Sequence, residues 1–242
     1  MHNLEIITGI GSVPHKHIAD AIAYSLKHHI PFFPQPTRIG SMIELIETPT
    51  SDQKRCMDEF KSAVMGYETV KTQCAGPVTL YQTGHYNEPN EAVDKVYQYV
   101  YNMMNELYAK KIILFLDEPG LGDYGGDYEA LWSKIFQDFP VISGVHTCGN
   151  MDLGKLLKSQ VINIISYDAN SNFNITRYPE YKEHRHNKRI AWGIKGAGDV
   201  KEFRPGDLFT WVCGMPHKSY MVEQSEEILK MLVRVSQEVS CN

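Results

Sequence analysis

No stretch of about 18 apolar residues occurs in this chain of 242 residues, so no membrane-spanning helix is expected. The first residues, Met1-His2-Asn3-Leu4-Glu5, lack the basic region and apolar run of a secretory signal. Basic residues do not predominate: 24 Lys and Arg face 29 Asp and Glu, for a net charge of −5. Duplex-binding domains carry a basic excess, so a nucleic-acid partner is not expected. Cysteine is sparse and odd in number: Cys56, Cys74, Cys148, Cys213 and Cys241. That spacing argues against a disulfide framework and for a reduced, cytoplasmic setting. There is no low-complexity tract, short repeat or Ser/Gly/Pro-rich linker. With 43% hydrophobic and 22% charged residues, the chain is not of the disordered class. The length fits a single domain over residues 1–242.

What the sequence does contain is a series of short apolar runs. Leu4–Ile10, Pro31–Phe33, Glu68–Gln73, Ile112–Leu116, Val141–Val145, Ile162–Tyr167, Arg189–Ile194 and Phe209–Val212 read as buried parallel strands. Between them lie stripes at helical spacing. Ile18–Lys27, Glu91–Ala109 and Met221–Val239 each repeat apolar residues at i, i+3, i+4 and i+7. Eight alternations of strand and helix predict an α/β fold, a single-domain (β/α)8 TIM barrel. A doubly wound open sheet is the alternative.

In such a barrel the chemistry sits at the C-terminal ends of the strands. The residues following the eight runs include Gly11-Ser12, Pro34-Gln35, Gln73-Cys74-Ala75-Gly76-Pro77, Asp117-Glu118-Pro119, His146-Thr147-Cys148-Gly149-Asn150, Asp168-Ala169-Asn170, Gly193 with Lys195, and Cys213-Gly214. Polar and metal-capable side chains gather there, and no comparable set precedes the strands.

His146 and Cys148 stand at i and i+2 of an extended segment, on one side of the strand. Cys213 and Asp168 close two other strands. Imidazole, two thiolates and a carboxylate suit tetrahedral Zn²⁺. The competing reading makes both cysteines buried hydrophobes and His146 a hydrogen-bonded core residue. His15 and His17 are expected to open the first helix or reach an anion. His28-His29 and His184-Arg185-His186 are expected to be solvated, Cys74 to pack in the core, and Glu118 to point away from Asp117.

The runs Ile10-Gly11-Ser12-Val13-Pro14-His15, Phe32-Phe33-Pro34-Gln35, Gln73-Cys74-Ala75-Gly76-Pro77, Phe115-Leu116-Asp117-Glu118-Pro119, Val145-His146-Thr147-Cys148-Gly149-Asn150 and Ile190-Ala191-Trp192-Gly193-Ile194 resemble cobalamin-independent methionine synthase. The nearer likeness is to its short core relatives, in the superfamily shared with uroporphyrinogen decarboxylase and the zinc corrinoid methyltransferases. The resemblance covers residues 5–216. It implies a (β/α)8 barrel whose zinc binds a substrate thiol, with His146, Cys148 and Cys213 as ligands. Asp168 is the nearest match to the acidic ligand, which is a Glu in the synthases.

The resemblance also implies that Ser12 and Asp117 hold the amino-acid end of homocysteine. Glu44 stands nearest to the family's amine-binding Glu. Gln35 and Gln73 complete the candidate substrate-binding set, and Asp117, His146 and Cys148 are the candidate catalytic residues. The synthases' second barrel, which helps to hold the folate donor, has no counterpart here. A methylated corrinoid such as methylcobalamin is therefore the expected donor, perched on a corrinoid protein, with methyl-folate the lesser choice. The expected activity is zinc-dependent transfer of a methyl group to a small thiol. The alternatives are a metal-free decarboxylase of the uroporphyrinogen type and a non-catalytic subunit that binds a corrinoid or thiol.

Overall fold

Six of the apolar runs form one parallel sheet. A computed structural model describes residues 6–149, 151–171 and 174–240. The sheet comprises β3 (Thr69–Ala75), β4 (Lys111–Asp117), β5 (Ile142–Thr147), β6 (Ile164–Asp168), β7 (Arg189–Gly193) and β8 (Leu208–Thr210), joined side by side in chain order. Parallel neighbours need crossovers. Helices supply them here: α5 (Pro89–Met104), α6 (Tyr128–Phe136), α7 (Leu153–Lys158) and α8 (Pro179–His184). The C-terminal α9 (Val222–Ser240) follows the last strand.

Both faces of the sheet are covered, which is why its strands read as apolar runs. On the outer face Leu114, Leu116, Val145, Ile165, Ile190 and Trp192 belong to the main core with the helices. On the inner face Ile113, Phe115, Ile164, Ala191 and Leu208 form a second, smaller core closed by Ile30. Each fully buried aliphatic or aromatic side chain of this kind contributes about 1.5–3 kcal/mol.

The expected closed barrel of eight strands is not formed. The sheet is a six-stranded half-barrel. Among the described residues the first two runs form no ladder and pair with the main sheet through isolated bridges, Ile7 to Phe209 and Phe32 to Lys71. Just after them, β1 (Ser12–Val13) and β2 (Gln35–Pro36) make a separate two-stranded parallel sheet. The cause lies in the second run. Pro31 and Pro34, flanking Phe32 and Phe33, have no N–H to donate, and the pairing with Lys71 does not extend through them.

Before the large sheet lie α1 (Ile18–Ser25), α2 (Met42–Glu47) and α3 (Ser51–Ala63). A short helix α4 (Pro77–Leu80), with Pro77 in its first turn, follows β3. Helices α1, α5 and α9 fall on the three apolar stripes of the sequence. Among the described residues no helix is long and apolar enough to cross a membrane.

A candidate metal and substrate centre

Parallel pairing puts Asp117 opposite His146, and His146 opposite Ser166. Paired residues point to the same side of a sheet. The inner row that begins with Ile113 and Phe115 therefore ends in polar groups at the C-terminal edge.

His146, Cys148 and Cys213 form a group able to hold a metal ion, their ligand atoms all within 4.8 Å of one another. His146 is buried, Cys213 partly exposed and Cys148 exposed, so the group opens from the sheet interior to solvent. His146 Nδ1 lies 3.0 Å from Ser166 Oγ, while its Nε2 has no hydrogen-bond partner among the described residues. A buried ring nitrogen without a partner costs about 1–3 kcal/mol; a bound ion would remove that cost. The Cys148 thiol is pushed well down by a hydrogen bond from Cys213 and by His146. The Cys213 thiol is pushed up, chiefly by that same bond and by burial.

Asp168 stands outside this group. Its Oδ1 accepts a hydrogen bond from Asn170 N at 2.9 Å, although it lines the same small pocket as Cys148, with Tyr167 and Ser171. Asn150 of the His146-x-Cys148-Gly149-Asn150 run, like Cys241, lies outside the described residues.

Beside the metal-capable group is a second, amide-rich one. Gln73 Nε2 donates to Asp117 Oδ2 at 2.7 Å, and Gln35 Nε2 donates to Gln73 O at 3.2 Å. Asp117 Oδ1 and Gln35 Oε1 are buried and have no partner among the described residues. Gly11 makes this convergence possible: a Cβ there would lie 2.8 Å from Gln35 Oε1 and 2.9 Å from Gln73 Nε2. Ser12 reaches Cys213 through the next residue, since a Cβ on Gly214 would lie 2.7 Å from Ser12 Cβ, and Met215 N donates to Ser12 O at 2.7 Å. Glycine at 214 is what lets the two segments touch. Four of the candidate substrate residues, Ser12, Gln35, Gln73 and Asp117, are thus gathered near the strand ends. Glu44 is exposed on α2 and closes a capping box, accepting from Ser41 N at 2.7 Å; that bond lowers its pKa.

No family model matches this chain, and no curated protein matches it.

Beneath Asp117 lies Lys71, fully buried. Its ammonium donates to Gly9 O at 3.0 Å and to Gln73 Oε1, and sits 4.5 Å from the centre of the Phe115 ring. Burial pushes its pKa down to about 7. Burial also raises the Asp117 pKa, against the opposing pull of His146, Lys71 and Gln73. Lys71 fixes the Gln73 amide with its oxygen inward and its NH2 toward Asp117. The free Asp117 Oδ1 is left as an acceptor for a substrate N–H.

Glu118 does point to the opposite side from Asp117, but it is fully buried. It accepts from Val78 N and Thr79 N at the start of α4, from Thr79 Oγ1, and from Trp132 Nε1 of α6. It therefore pins two helices to the end of β4. Burial raises its pKa to about 7 despite these bonds.

Sequence reasoning missed Ser166, Lys71 and this role of Glu118. Lys71 carried the one usable signal, a cation in the middle of a run that is otherwise uncharged from Thr69 to Ala75. In each of the two groups expected to be solvated one residue is buried, while His29 and His186 are exposed and His184 is partly exposed. His28 packs on Phe32 and directs Nδ1 to Tyr24 O at 3.2 Å. Arg185 pairs with Asp207 inside the fold. His15 is buried as well, against Tyr24, while His17 is the N-cap residue of α1. Cys74 is buried in the core.

Proposed function

We propose that this chain is a zinc-dependent methyltransferase that moves a methyl group from a methylated corrinoid to a small thiol such as homocysteine. The observation that carries the reading is the unpartnered His146 Nε2 in one group with the Cys148 and Cys213 thiols. One imidazole nitrogen and two sulfurs are a donor set that fits zinc, and three protein donors leave a coordination position for a substrate. Zinc held there would supply a thiolate at neutral pH from a thiol that is otherwise mostly protonated.

The chain's own residues do the rest. Ser166 holds the His146 ring so that Nε2 is the free nitrogen. Cys148, whose thiol is pushed down by Cys213 and His146, is the more readily deprotonated of the two sulfur ligands. Asp117 Oδ1 and Gln35 Oε1 are paired acceptors for the ammonium of an amino-acid thiol. Gln73, fixed by Lys71, keeps the Asp117 carboxylate turned toward that ammonium. Holding the sulfur in line with the donor methyl converts an encounter into a positioned attack. A sulfur–carbon bond forms as the donor–methyl bond breaks, and the thiol proton leaves to solvent. The donor enters with its own partner, a corrinoid protein.

The test is incubation of zinc-loaded protein with methylcobalamin and homocysteine, with methionine read by mass spectrometry. Methionine formed by the wild-type chain and not by Cys148→Ala supports the reading. Its absence, with a panel of other small thiols equally unmethylated, overturns it.

A further inference from the structure

An open cavity lies at the opposite end of the sheet from His146 and Cys148. It measures about 450 Å³ and opens where β5 and β7 begin and β6 and β8 are entered. A volume of that order is what small-molecule sites have, roughly 300–1,000 Å³. Its charged lining residues are Arg185, Lys188, Arg189 and Arg204, with His186 beside them, and no carboxylate side chain is part of the lining. This is a concentrated cationic site in a chain whose net charge is −5.

Two of the cations are neutralised and build the site. Arg185 is held by Asp207 at 2.5 and 2.7 Å and by Tyr181 OH at 3.0 Å. Asp207 also accepts from Ile190 N and Trp192 Nε1. Arg204 pairs with Glu202. Lys188 is buried, with its ammonium on Ser159 O and Ile162 O at 2.6 and 2.7 Å, and it forms no ion pair among the described residues. Arg189 is exposed and likewise forms none. Asn163 adds a directed donor. Its Oδ1 accepts from Ser143 N and Oγ, so its NH2 is the end left free.

We propose that this cavity binds a small organic phosphate or polyphosphate. The site offers the exposed Arg189 guanidinium, which forms no ion pair among the described residues, the Lys188 side chain and a fixed amide NH2, and its lining holds no carboxylate. The Arg189 guanidinium matches phosphoryl oxygens two at a time, which a spherical ammonium does not. The volume exceeds what bare phosphate fills, so the ligand carries more than one phosphoryl group or an organic portion. The site is distinct from the metal-capable group and does not depend on the methyl-transfer reading.

The experiment is calorimetric titration of the full chain with inorganic pyrophosphate, and with citrate as a carboxylate anion of comparable charge. Arg189→Gln is the test variant, being exposed and outside both cores. Lys230→Gln on α9 is the control, and circular dichroism checks that both remain folded. Saturable one-to-one pyrophosphate binding is expected, weakened about 10-fold or more in Arg189→Gln and unchanged in Lys230→Gln. Citrate is expected to bind at least 10-fold more weakly than pyrophosphate. Absence of saturable binding, equal binding of citrate, or binding that Arg189→Gln leaves intact overturns the proposal.

Discussion

Ser166 Oγ stands 3.0 Å from His146 Nδ1, and the other ring nitrogen of His146 has no partner among the described residues. The two residues are direct neighbours across β5 and β6. A ligating histidine held through its second nitrogen keeps one tautomer and one ring orientation. Ser166→Ala removes that hold while deleting a single oxygen. Zinc affinity, measured by competition with a chelating dye, is expected to fall about 10–100-fold, with the thermal midpoint of the metal-free protein little changed.

In the proposed reading Asp117 holds substrate and not metal. It lies outside the metal-capable group, and its buried Oδ1 has no partner among the described residues. Asp117→Asn keeps the shape but replaces a charged acceptor by a neutral amide. Methyl transfer to homocysteine is expected to drop about 100-fold, as misplacement of a reacting group does, while zinc content stays at the wild-type level. Loss of zinc together with activity would show that Asp117 belongs to the metal group after all.

Glu118 writes a pH dependence into stability. Its folded pKa is raised by burial, from 4.5 to about 7. A raised folded pKa means that the folded state binds the extra proton. The stabilisation is thus fully present below about pH 4.5 and is lost as pH rises to about 7. The full effect is on the order of 3 kcal/mol. Urea unfolding between pH 4.5 and 7 is expected to show this decline, and Glu118→Gln to flatten it.

The Arg185–Asp207 pair carries the largest expected stability effect of a single change. Both side chains are almost wholly buried, and Asp207 also accepts from Arg204 N. Removing one partner strands the other charge in the core. Arg185→Met is expected to cost about 3–5 kcal/mol by urea unfolding. Zinc stoichiometry is expected to survive, because the pair lies at the other end of the strands.

Much of this arrangement is legible in the chain. From Thr69 onward the strands are regular, buried on both faces and nearly free of proline, so their apolar runs mark them. The His146-x-Cys148 spacing reads directly as two groups on one side of a strand, and Cys213 as a strand end. The N-terminal runs read as strands too, but the prolines at 31 and 34 interrupt pairing, and the ring of strands stays open. Ser166 was not legible, because its place beside His146 depends on register between strands about 20 residues apart. The sequence places Glu118 only on the side away from Asp117, since the helix N–H groups and the indole that donate to it come from elsewhere in the chain. His28 and Arg185 sit among other polar residues in sequence, which hides the neighbours that bury them.

The most direct test is the zinc content of the full chain purified with zinc supplied, by elemental analysis, beside Cys148→Ala and Cys213→Ser. The account predicts about one zinc per chain in the wild type and most of it lost in each variant, with both variants folded by circular dichroism. Zinc-free wild-type protein, or zinc retained in full by both variants, would contradict it.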